Sequence, residues 1–232
     1  MNTITLNGVS SATITGLLIQ ELPPVSKPLI RTQIETIDGR DGDIITSLGY
    51  SAYDRTARIG LRYNFDIDDV IKFFNSEGTA IFSNEPDKVY QYKVLDQIDF
   101  NRLIRFREAD VVFHVQPFKL EAYETEIDTS STSSISVTNK GNVPARPIIT
   151  VYGSGNINIS LNGNQIFTIA MGDAEYITID TDSMNAYAGG LLMNRRVTGD
   201  YSQFILPIGT NTISVTGTDV DNVIISNYSR WV

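Results

Sequence analysis

A run of hydroxyl side chains, Thr129-Ser130-Ser131-Thr132-Ser133-Ser134, separates two stretches of different texture. Such short polar side chains contribute nothing to a core and read as connecting chain. Ahead of the run the chain is charged and aromatic, with one clear helical pattern. Behind it lie short alternating strands rich in Gly, Asn, Thr and Ser. Domain boundaries favour polar connections, so two domains are expected, 1–130 and 131–232.

In the first stretch Ala57-Arg58-Ile59-Gly60-Leu61-Arg62-Tyr63 alternates strictly. A strand there puts Ile59, Leu61 and Tyr63 on one face and Arg58 and Arg62 on the other. Asp66 is a good N-cap, followed by Ile67, Val70, Ile71, Phe73 and Phe74 at helical spacing, with Gly78 as the stop. The strand over Arg105–Val115 is expected to end at Gln116-Pro117-Phe118-Lys119. Asp38-Gly39-Arg40-Asp41-Gly42-Asp43 reads as a loop. In the second stretch strands such as Ile148–Val151, Ile157–Leu161, Gln165–Ile169 and Tyr176–Ile179, separated by turns such as Asn162-Gly163-Asn164, predict an antiparallel sandwich with no helix. The expected fold is mainly β: an α+β domain with one helix, then a β-sandwich.

With no cysteine, a disulfide framework, a Cys-based zinc site and a cysteine nucleophile are excluded. The start of the sequence has no basic leader and no apolar run is long enough to span a bilayer, which predicts synthesis and folding in a cytoplasm. The net charge of −9 is shared evenly: residues 1–123 hold 13 basic and 17 acidic side chains, and 124–232 hold 5 and 10. No basic face is available to neutralise phosphates, which speaks against a specific DNA-binding protein.

No catalytic set, cofactor motif or metal site stands out. His114, the sole histidine, has no nucleophile or carboxylate tied to it by a known spacing, and a structural role is expected. Asp38, Asp41 and Asp43, or Asp180, Asp182 and Asn185, lack the spacing of a twelve-residue calcium loop and read as turn residues. Arg55, Arg58 and Arg62 suit subunit contacts, because guanidinium forks pair well when desolvated. Tyr187, Tyr201, Tyr228 and Trp231 are candidates for stacking on sugar, the alternative being a carbohydrate-binding module for attachment to a host surface.

Several segments resemble, in order, the distal tail protein family of long-tailed bacteriophages. They are the Gly39-Arg40-Asp41-Gly42 loop, the Asp66 to Asn75 helix, Val115-Gln116-Pro117-Phe118-Lys119, Asn139-Lys140-Gly141-Asn142-Val143-Pro144-Ala145-Arg146-Pro147, Leu206-Pro207-Ile208-Gly209-Thr210-Asn211-Thr212-Ile213 and the Arg230-Trp231 ending. The resemblance implies a structural virion protein of the tail tip, made in the bacterial host cytoplasm and neither enzyme nor cofactor carrier. Its first domain would close a homo-hexameric ring, and the second would be a galectin-like sandwich. The partners implied are the tail tube, tape-measure and tail-tip proteins, together with a receptor-binding protein. DNA would pass through the ring unbound; since acidic groups repel phosphates, Asp38, Arg40, Asp41 and Asp43 are candidates to face the lumen or its rim, the alternative being an acidic loop on the outer surface.

Overall fold

The computed structural model describes residues 1–130 and 134–232; Ser131, Thr132 and Ser133 of the hydroxyl run lie outside the described residues. The chain forms two compact units, Met1–Ala122 with Val232, and Tyr123–Trp231. Both are built on antiparallel sheet.

The first unit contains β1 (Ile4–Leu6), β2 (Val9–Ser10), β3 (Leu17–Glu21), β4 (Ile30–Thr36), β5 (Asp43–Tyr50), β6 (Tyr53–Leu61), α1 (Ile67–Phe74), β7 (Glu77–Phe82), β8 (Lys88–Val94), α2 (Phe100–Phe106) and β9 (Glu108–Glu121). Its main sheet runs β2-β1-β7-β8-β9-β6-β3, while β4 and β5 pair only with each other. One sheet face is apolar: Ala57, Ile59, Val111, Phe113 and Val115 are buried in one cluster with Val70, Phe73 and Phe74 of α1 and Leu103 of α2. Helix α1 starts as its sequence predicts, the Asp66 carboxylate accepting from the Asp68 and Asp69 amides at 2.9 and 3.4 Å.

The structure departs from expectation at four places in this unit. Asn75 caps α1, and Gly78 lies inside β7 instead. A second helix, α2, occupies residues expected to be loop and strand; Asp99 caps it by accepting from Arg102, and Arg107 ends it at φ 64. Strand β9 continues through Pro117, because the register with β8 shifts between Tyr90 and Tyr92 and takes up the residue without an amide hydrogen in a bulge. Tyr63 is 98% exposed, since β6 ends at Leu61 and the alternation stops with it.

The second unit contains β10 (Ile127–Thr129), β11 (Ile135–Asn139), β12 (Ile148–Leu161), β13 (Asn164–Ala170), β14 (Tyr176–Asp180), β15 (Asn185–Ala188), β16 (Leu191–Leu192), β17 (Val197–Gly199), β18 (Gly209–Ser226) and β19 (Arg230–Trp231). It starts ahead of the hydroxyl run because β10 pairs with the far end of β18, Ile127 opposite Ile225. Strands expected as separate pieces are joined in two long, bent ones. The first half of β12 pairs with β14 and its second half with β13, while β18 accompanies it along both. The bend lies at Gly153, where φ is +150° and a Cβ would stand 2.3 Å from the Asp219 carbonyl oxygen, so only glycine fits. Bending lets one strand pair serve both layers of a sandwich, whose core takes Ile149, Val151, Ile157, Ile159, Phe167 and Val215. The turn into β13 has Asn162 and Gly163 both at positive φ, as a two-residue hairpin connection requires.

Candidate assembly surface

The hairpin of β4 and β5 is an arm without a core. Most residues of the two strands are exposed and none is buried, the directly paired Ile34 and Ile45 standing at 59% and 65%. An isolated two-stranded hairpin is marginal in water, and here it carries apolar side chains that its own unit does not cover. Leu29 and Leu48 are exposed as well. The loop Asp38–Asp43 is the tip of this arm. Gly39 and Gly42 adopt positive φ with open space around them, and Asp43 accepts from the Thr36 hydroxyl at 3.0 Å.

The root of the arm is fastened from inside. Arg55 is 2% exposed, its guanidinium lying 4.6 Å from the Phe82 ring centre and 4.4 Å from that of Tyr90. Its Nη2 donates to the carbonyls of Pro23 and Pro24, where the chain leaves the sheet, and to Glu85 at 3.2 Å. Lys119 donates to the other Glu85 oxygen at 2.9 Å, and Tyr90 donates its hydroxyl to the same carboxylate. Asn84 adds a bond to Pro23, while the Ser51 amide donates to the Leu29 carbonyl at 2.8 Å and closes the base. Burial opposes ionisation of Glu85, yet the bonds from Tyr90 and Lys119 and the charges of Lys119 and Arg55 outweigh it and hold the carboxyl below its usual range. Burial and the bond to Glu85 push the Tyr90 hydroxyl upward.

The arginines expected at subunit contacts are therefore in three different settings. Arg55 is not at a surface: it shares the inward face of β6 with Ala57, Ile59 and Leu61. Arg58 lies on the outer face in a ladder with Asp110 at 3.2 Å and Glu21 at 3.9 Å. His114 is on that same face, 2.7 Å from Asp54 and opposite Lys93. Arg62 lies beyond the end of β6 and lines an open pocket of about 610 Å³ with Leu61, Tyr63, Asn64 and Arg107. Arg107 stacks on Phe65 at 4.8 Å, and its Nη1 is buried without a hydrogen-bond partner.

The four aromatic candidates of the sandwich do not form an exposed platform. Tyr187, Tyr201 and Trp231 are half-buried and Tyr228 is 8% exposed. Tyr201 packs 5.0 Å from Phe167, and Tyr228 donates its hydroxyl to the Thr125 carbonyl at 2.8 Å. Asp180, considered for calcium, accepts from the Asp182 and Ser183 amides in a turn. Sequence reasoning missed Glu85 and Arg107 and put Tyr63 on the Ile59 and Leu61 face; a buried ion cluster leaves no periodic signature, and Arg107 becomes special only through its left-handed backbone.

No protein-family profile matches the sequence, and no curated protein sequence matches it. Solved structures do. The SPP1 Dit (gp 19.1) protein, described as a paradigm of the hub adsorption apparatus in phages infecting Gram-positive hosts, superposes with a TM-score of 0.68 at 16% identity over 100% of both chains. A chain of the phage P2 baseplate in its activated, calcium-containing conformation gives a TM-score of 0.50 at 8% identity, covering 97% of this chain and 98% of the other. The bent sandwich, the helix-backed sheet and the order in which they follow each other are thus those of a known phage protein, and this chain has, from end to end, the Dit fold.

Proposed function

We propose that this protein is a structural component of a phage tail tip, where six copies close a hub ring through their first units. The observation that carries the reading is the β4–β5 arm: an ordered hairpin with an uncovered Ile34/Ile45 pair needs a surface to lie on, and a neighbouring copy supplies the same surface at every position of a closed ring. The full-length likeness to a phage hub protein supports it. Function then lies in surface and symmetry, with no reaction. The ring joins the tail tube and tape-measure protein on one side to the tail-tip and receptor-binding proteins on the other, and DNA passes through it.

Negative-stain images of the purified chain, with light scattering over rising concentration, are expected to give six-fold rings. A species that stays monomeric throughout would overturn the reading.

A further inference from the structure

We infer that the acidic tip of the arm, Asp38–Asp43, docks into the arginine-lined pocket at Arg62, Tyr63 and Arg107 of a neighbouring copy. The inference rests on the assembly reading above and specifies the contact. Both halves are unsatisfied within one copy. Among the described residues, Arg62 and Arg107 enter no ion pair, and one Arg107 nitrogen is buried without an acceptor. Asp38 and Asp41 likewise meet no cation. Guanidinium groups lining an open pocket recognise carboxylates through two parallel N–H···O bonds.

The shapes agree with the charges. The pocket is open, and its rim residue Tyr63 stands 98% exposed, an amphipathic ring of the kind enriched at protein contacts. The tip is narrow: glycines at 39 and 42 have nothing within 4 Å of where a Cβ would be, so its carboxylates can enter a recess without bulk beside them. Three carboxylates and Arg40 make the tip net negative. Exposed Ile37, next to the tip, supplies an apolar counterpart for Tyr63.

The absence of cysteine from the chain makes the contact directly testable. Full-length Asp41→Cys and Tyr63→Cys proteins, mixed and oxidised under assembly conditions, are expected to give the mixed disulfide in several-fold excess over either homodimer. Each copy then carries a single thiol, so a link within one chain cannot form. In parallel, Arg62→Glu is expected to weaken association several-fold, Asp41→Arg to do the same, and an equimolar mixture of the two to recover it, all with a steep dependence on salt. Residues 41 and 62 are exposed, so folding is checked simply by unchanged melting. If the native protein assembles while mixed disulfides stay at the random ratio and the charge swap fails to rescue, the tip lies elsewhere, for instance at a lumen, and the docking inference falls while the ring stands. If nothing assembles, both fall.

Discussion

Glu85 pairs with two buried cations at once, and the consequences are measurable. Truncating it to alanine leaves Arg55 and Lys119 in the interior without their counter-charge, and breaking a buried pair in this way costs about 3–5 kcal/mol. Chemical denaturation of Glu85→Ala checks the figure. The pH dependence follows from the lowered carboxyl. A depressed carboxylate stabilises the fold above its unfolded value, and that contribution is lost as pH falls from the ordinary glutamate value of about 4.3 through the lower folded one. Melting of the native protein is expected to decline more steeply across that window than melting of Glu85→Gln; parallel declines would remove Glu85 from the account. The alternation of β6 already placed Arg55 in line with Ala57, Ile59 and Leu61. Its residue type argued for solvent, and only the arrival of Glu85 from the turn between β7 and β8 and of the Phe82 and Tyr90 rings made an inward arginine tolerable. None of those neighbours is visible from positions 53–61.

Helix α1 was legible because its signals are local: an Asp cap, acidic residues in the first turn and an apolar stripe. Val70, Phe73 and Phe74 of its stripe are buried while Ile71, at the edge of the stripe, is exposed, and Phe74→Ala is expected to cost about 3–5 kcal/mol in a denaturant titration. Helix α2 was not legible, since seven residues carry too little periodicity and its last two, Arg105 and Phe106, extend the alternation of β9. Of the arm, the Asp38–Asp43 loop was legible in the sequence and the return strand β5 was not. What the pattern could not reveal is that β4 and β5 find no third strand, because pairing is decided by sheet edges far away in sequence. The Ile34→Ser, Ile45→Ser double substitution separates stability from assembly: melting is expected to stay unchanged, while association followed by light scattering weakens. A lowered melting temperature would mean that the pair is covered within its own copy.

At the scale of the whole molecule, two cores with separate residue sets imply two unfolding transitions. Calorimetry is expected to resolve them, with Glu85→Gln moving only the one that belongs to the first unit. The change of texture near residue 130 announced two parts, yet the sandwich recruits Ile127–Thr129, up to and including the first residue of the hydroxyl run, because β-pairing can reach back across a polar stretch that composition marks as a border. The central position of β18, flanked by β10, β11 and β12, has a consequence for the order of events on the ribosome. The sheet path β2-β1-β7-β8-β9-β6-β3 of the first unit has been made once Glu121 is in place. Ile127 must wait for Ile225, which at about 5–20 residues per second is a delay of about 5–20 s. During that interval the nascent chain carries the main sheet path of its first unit and a sandwich still lacking β18, so if copies meet through their first units as proposed, those made on one messenger can do so before their second units have folded.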